Sequence, residues 1–178
     1  MQDVFIEYMV KKVRPPIWVL LKIAIVLGAV LLFVLFFILA PFLQAFSMVA
    51  ILLAFGSVYG AYRLITGMSV EFEYAFTNGE MDIDQIVAQR KRKRLVSVKC
   101  REIDDFGRYK ASEHENKNYS QKIFACDYPT NEDLWFFAFH HREKGNTLVV
   151  FNTSEKMLNS IKMYIPSPIM HRVFRIGA

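Results

Sequence analysis

The chain has 178 residues, 53% of them of hydrophobic type, and a formal net charge of +5. The apolar excess is concentrated between Ile17 and Ile65, where Lys22 and Arg63 are the only charges, and the expectation is an integral membrane protein. What is left, about 110 residues, suffices for one small domain with its own core and hardly for two.

Residues 2–14 predict a short amphipathic helix. Asp3, Glu7, Lys11 and Arg14 fall at three- and four-residue spacing, with Phe5, Ile6, Met9 and Val13 on the other side. Such a segment, bounded as residues 1–16, rests in a membrane interface before Pro15-Pro16 redirects the chain. The competing expectation is an extension packed on the soluble domain.

Residues 17–66 predict a membrane α-helical hairpin. A bilayer span takes about 20 apolar residues, and this run is about twice that. The first span is expected from Ile17 to Leu39, with Trp18 at the interface and Lys22 snorkelling back to it. Pro41 is the expected break, because proline cannot continue a helix ladder. The second span runs from Phe42 to Ile65 and ends on Tyr59, Tyr62 and Arg63. Ala24 and Gly28, with Gly56 and Gly60, have the small-xxx-small spacing that lets helices approach closely, within the hairpin or in a homodimer. Lys11, Lys12, Arg14, Arg63 and the later basic run flank the spans, whereas the turn between them is uncharged. The positive-inside rule then puts both termini in the cytoplasm and gives a two-span protein of the cell membrane.

From residue 67 to 178 a β-rich domain is expected. Val70, Phe72, Tyr74 and Phe76 alternate with Glu71, Glu73, Ala75 and Thr77, the pattern of a half-buried strand. Asn78-Gly79 is a strong hairpin signal, and a strand returns through Met81 and Ile83 with a bulge expected near Gln85-Ile86. Val96, Val98 and Cys100 give a third strand. Residues 104–121 read as a polar loop. Lys122–Tyr128, Leu134–His140 and Thr147–Phe151 are strand-like, separated by turns at Pro129-Thr130-Asn131 and Lys144-Gly145-Asn146. Met157, Leu158, Ile161, Tyr164 and Ile165 form the stripe of a last helix, with Asn152 as its cap, Glu155 completing a capping box and Pro166 as its end.

The stretch Val70–Asp84, followed by a basic run and Leu95-Val-Ser-Val98, resembles small, uncharacterised bacterial membrane proteins with two N-terminal spans and a cytoplasmic PH-like (pleckstrin-homology-like) domain. The resemblance implies an α+β fold: an antiparallel β sandwich or barrel of about six to seven strands closed by a C-terminal amphipathic helix. Phosphoinositide-binding PH domains carry basic residues around their first strand-to-strand loop. The equivalent turn here, Asn78-Gly79, is flanked instead by Glu80, Asp82 and Asp84, which speaks against that site.

The strongest charged feature is Arg90-Lys91-Arg92-Lys93-Arg94. Two strands of similar length return the chain to its starting level, so this run is expected on the membrane side, where anionic headgroups attract it. The plainer reading is a solvated connection that only sets topology; nucleic acid is the weaker alternative. His140-His141 point to opposite faces of a strand and cannot share a metal. Glu113-His114-Glu115 reads as solvated loop. Cys100 and Cys126, too few for a disulfide framework, read as small buried hydrophobes. In the aromatic run Leu134–Phe139 both faces are apolar, with Trp135, Phe137 and Phe139 expected to dock within the chain. No catalytic, cofactor-binding or metal-binding signature appears. The expected function is a non-enzymatic, membrane-anchored binding or scaffold module at the inner leaflet, contacting anionic lipid or a protein partner. The alternative is a structural accessory subunit of a larger membrane complex, assembled through the hairpin or as a homo-oligomer.

Overall fold

A computed structural model describes residues 4–174 apart from 142 and 144. Asp3 and Lys144, used above, lie outside the described residues. The chain divides into two units: the residues up to Val13 together with those from Val70 onward, and Arg14–Ser69 between them.

The first unit is built of two four-stranded sheets. Sheet one contains β1 (Phe5–Lys11), β2 (Val70–Thr77), β3 (Glu80–Val87) and β4 (Lys91–Lys99) in that spatial order, all antiparallel. Sheet two contains β5 (Ile103–Arg108), β6 (Gln121–Ala125), β7 (Trp135–His141) and β8 (Gly145–Phe151), in the order β5-β7-β8-β6. β6 runs parallel to β8, so this sheet is mixed, and the two sheets do not close into a barrel.

Residues 5–11 are therefore a strand, not the expected interfacial helix. The same residues satisfy a period of two: Ile6 and Val10 are buried, while Phe5, Glu7, Met9 and Lys11 are exposed. Pairing decides between the periods, because β2 offers β1 a seven-residue ladder from Phe5↔Thr77 to Lys11↔Glu71. This is the competing expectation, an N-terminal extension packed on the β domain.

Asn78 and Gly79 close β2 on β3 with φ of 48° and 89°, the two positive values that a type I′ hairpin turn requires. A Cβ on Gly79 would stand 2.4 Å from the Tyr164 ring, so space as well as backbone demands glycine there. The bulge falls between Ile83 and Asp84, two residues before the expected place. β4 begins at Lys91, so most of the basic run is strand and only the turn at Ala88–Arg90 is connection.

Residues 104–121 are not simply a loop. Ile103 and Phe106 anchor β5 at the edge of sheet two, and α3 (Ala111–His114) follows. A register shift between Ile103 and Asp105 sets the two buried side chains three residues apart, so the strand shows no period of two. β7 is central in sheet two. Phe137 and Phe139 enter the main core between the sheets, while Phe136 and Ala138 join Leu134, Leu148, Val150 and Cys126 in a second apolar cluster on the other face. Trp135 stacks on Phe174 of the last helix, centroids 5.9 Å apart, so the aromatic strand docks within its own unit.

The terminal helix is two. α4 (Glu155–Lys162) and α5 (Ser167–Phe174) are separated around Pro166. Ser154, not Asn152, caps α4 by accepting from the Met157 N–H. Asn152 instead accepts from the Asp127 N–H and donates to the Asp127 carboxylate, both at 2.9 Å.

The second unit is helical almost throughout: α1 (Ile17–Leu39), a 3-10 stretch (Ala40–Phe46) and α2 (Ser47–Gly67). Ile17–Gly67 is long and apolar enough to cross a membrane. Pro41 opens the 3-10 stretch, but the departure from helical backbone is at Gln44, with φ 41° and ψ −102°. Ser57 on α2 donates to the Ala29 carbonyl of α1 at 3.2 Å, and Phe33 meets Phe55 edge to face. Along one straight helix, residues 28 apart would be about 42 Å distant, so the chain folds back beside itself.

Candidate functional site

The only polar feature of the sequence with a strong charge pattern is the run Arg90–Arg94, and the sheet register determines what it can do. Lys12 donates its N–H to the Val70 carbonyl at 3.0 Å. Val70 pairs with Val87, and Val87 with Lys91. One end of sheet one therefore carries, side by side, the point where the chain leaves for α1, the point where it returns from α2, and the basic turn.

Strand alternation then divides the basic residues into two sets. Arg92 and Arg94 lie on the outer face, beside Glu71, Glu73 and Asp84, each only 5% exposed. Arg92 pairs with Glu73 and reaches Asp84 at 3.9 Å. Arg94 donates from Nε to Asp84 and pairs with Asp82 at 2.8 Å. Lys11 of β1 reaches Glu71 at 3.5 Å. Burial pushes the Glu73 carboxyl above its ordinary range, a hydrogen bond with Glu7 adds to this, and Arg92 opposes both. Lys91 and Lys93 stand on the opposite face, opposite Val87 and Gln85, with no ion-pair partner among the described residues. The five are contiguous in sequence, but the acids that claim two of them lie on neighbouring strands.

The helix-packing candidates are placed differently from a tight interface. A Cβ at Gly28, Gly56 or Gly60 would meet nothing within 4 Å, and Ala24 is exposed. The small residues buried on α2 are Ala50 and Ala54.

The reading of Glu113-His114-Glu115 as solvated is corrected at its centre. His114 is 2% exposed. Its ring stacks on Tyr109, meets Phe136 edge-on at 4.2 Å and places Nδ1 3.0 Å from the Tyr119 hydroxyl, while Nε2 is buried without a hydrogen-bond partner. Burial pushes its pKa below the ordinary 6.5, with Lys117 adding to the effect. A histidine held neutral in the fold contributes stability that is fully present above the unfolded-state value and lost as pH falls below about 6.5. The melting temperature of the protein is expected to drop between pH 7 and 5. A His114→Phe variant should lose this part of the slope; an unchanged slope in that variant would assign it elsewhere.

Cys100 and Cys126 are buried and unbridged, and burial pushes their thiols up to about 12 and about 11. His140 spends Nδ1 on Asn146, at 2.9 Å. Among the described residues no cluster of His, Cys, Asp and Glu is arranged to hold a metal ion.

Two sheets followed by C-terminal helices, with an apolar helical insertion between the first two strands, make a mixed α and β module. Residues 2–171 match the family model described as "Bacterial PH-like domain (DUF6106)", and the chain belongs to that family. No curated protein and no solved structure matches it. The N-terminal strand changes one equivalence drawn from the sequence. With β1 in place, the first strand-to-strand connection is the helical insertion, and Asn78-Gly79 is the second.

Proposed function

We propose that this protein is a non-enzymatic scaffold or binding module, anchored in the bacterial inner membrane by two spans with its β domain in the cytoplasm. The observation that carries the reading is the hydrogen bond from Lys12 to Val70. It fixes both ends of the apolar insertion at one point of one sheet. A segment that starts and finishes at the same place crosses a bilayer an even number of times, and 51 helical residues allow two crossings. The basic residues at that end of the sheet agree with a cytoplasmic location. A second reading, an accessory subunit held in a larger complex or homo-oligomer by its helices, is favoured by one observation. Gly28, Gly56 and Gly60 leave helix surface open to a neighbour.

Site-directed labelling tests the topology. The native thiols are buried and poorly ionised, so introduced cysteines report alone. Phe42→Cys, at a position 78% exposed in the 3-10 stretch, should react with an impermeant maleimide in intact cells. Lys156→Cys should react only after permeabilisation. Labelling of Lys156→Cys in intact cells, or release of the protein by alkaline carbonate, would overturn the reading.

A further inference from the structure

We infer that Lys12, Lys91 and Lys93 form a contact for anionic lipid headgroups, and that Arg92 and Arg94 take no part in it. The inference rests on the membrane anchoring proposed above and assigns the lipid contact to particular side chains.

Three observations lead to it. Lys12 meets Val70, Val70 pairs with Val87, and Val87 with Lys91, so Lys12 and Lys91 end one row across sheet one. Four strands about 4.8 Å apart set them about 14 Å from each other. Lys93 lies two residues along from Lys91 on the same face. All three are exposed and carry no ion pair among the described residues. The acids of this end of the sheet, Glu71, Glu73 and Asp84, are instead buried and matched to Lys11, Arg92 and Arg94. The end from which the chain enters and leaves the helical insertion therefore presents lysines that form no ion pair among the described residues. A row along a sheet end suits the summed charge of a lipid surface rather than enclosure of one headgroup. Its strength should follow the anionic fraction of the membrane and fall with salt.

The test uses the full chain in nanodiscs of phosphatidylcholine alone or with one third phosphatidylglycerol, read by hydrogen exchange of the backbone over residues 88–93. Exchange should be slower in the anionic discs, by about fivefold for each lysine engaged, and the difference should vanish in 0.5 M salt. The Lys12→Gln/Lys91→Gln/Lys93→Gln variant should exchange alike in both discs, with the melting temperature of the parent in phosphatidylcholine. Equal protection of the parent in the two compositions would overturn the inference while leaving the anchor standing. So would protection in phosphatidylcholine discs by added inorganic phosphate or an oligonucleotide that matches or exceeds the effect of the anionic lipid. Failure of the chain to enter discs at all would instead overturn the anchoring itself.

Discussion

A chain in which residues 13–69 are replaced by Asn-Gly is expected to fold as a soluble β domain, whereas a chain that starts at Val70 is not. The first expectation follows from Lys12 and Val70, which already stand as hydrogen-bonded partners. A two-residue type I′ turn joins two antiparallel strands at that point, as Asn78-Gly79 does between β2 and β3. The second follows from what β1 contributes. Ile6 and Val10 are buried in the core between the sheets, and full burial of such side chains stabilises by about 1.5–3 kcal/mol each. Tyr8 also stacks on Tyr74 at 6.0 Å. Against a total stability of about 5–15 kcal/mol, losing about 3–6 is enough to leave a large unfolded fraction. It would also bare β2, with Phe72, Tyr74 and Phe76, as an open sheet edge. Gel filtration and thermal melting by circular dichroism decide the matter. The grafted chain should be monomeric with one cooperative transition, and the truncated chain aggregated or without a transition. A truncated chain as stable as the grafted one would show that β1 is dispensable.

The N-terminal strand marks where the sequence was legible and where it was not. The helical segment was plain because its signal is one of composition, which needs no partner to interpret. Val70–Asp84 was plain as well, because alternation and a two-residue turn are local. Phe5–Lys11 satisfied two periods at once: its charges fit a helical face, while Ile6 and Val10 fit a strand. The strand that decides between them lies beyond the whole insertion, with Tyr8 paired to Tyr74. β5 is hard to see for a related reason: its only buried large side chains, Ile103 and Phe106, are set three apart by a bulge and give no alternation to stand out from a polar loop. His114 was invisible from its neighbours Glu113 and Glu115, because its cover of Tyr109, Tyr119 and Phe136 comes from other elements.

The basic run divides by strand alternation, and it supplies the other large effect. A period of two separates Arg92 and Arg94 from Lys91 and Lys93 once the run is known to be strand. Arg94→Ala is expected to destabilise the β domain by about 2–3 kcal/mol. It removes charge-assisted hydrogen bonding from Asp84, whose side chain is 7% exposed and whose remaining cation is Arg92 at 3.9 Å. Loss of a partner from a fully buried pair costs about 3–5 kcal/mol. The lower figure applies because the Arg94 side chain is itself 52% exposed and partly screened. Lys93→Ala, one residue away, should change stability by no more than about 0.5 kcal/mol. A double-mutant cycle separates the ion pair from generic loss of side-chain packing. With Asp84→Asn already present, Arg94→Ala should cost at least about 1 kcal/mol less than in the parent. Equal costs in the two backgrounds, or equal effects of Arg94→Ala and Lys93→Ala, would return all five cations to a single surface patch. Unequal ones would mean that a run of like charge divides by face: Arg94 holds a buried carboxylate in the sheet, and Lys93, one residue away, carries none of that load.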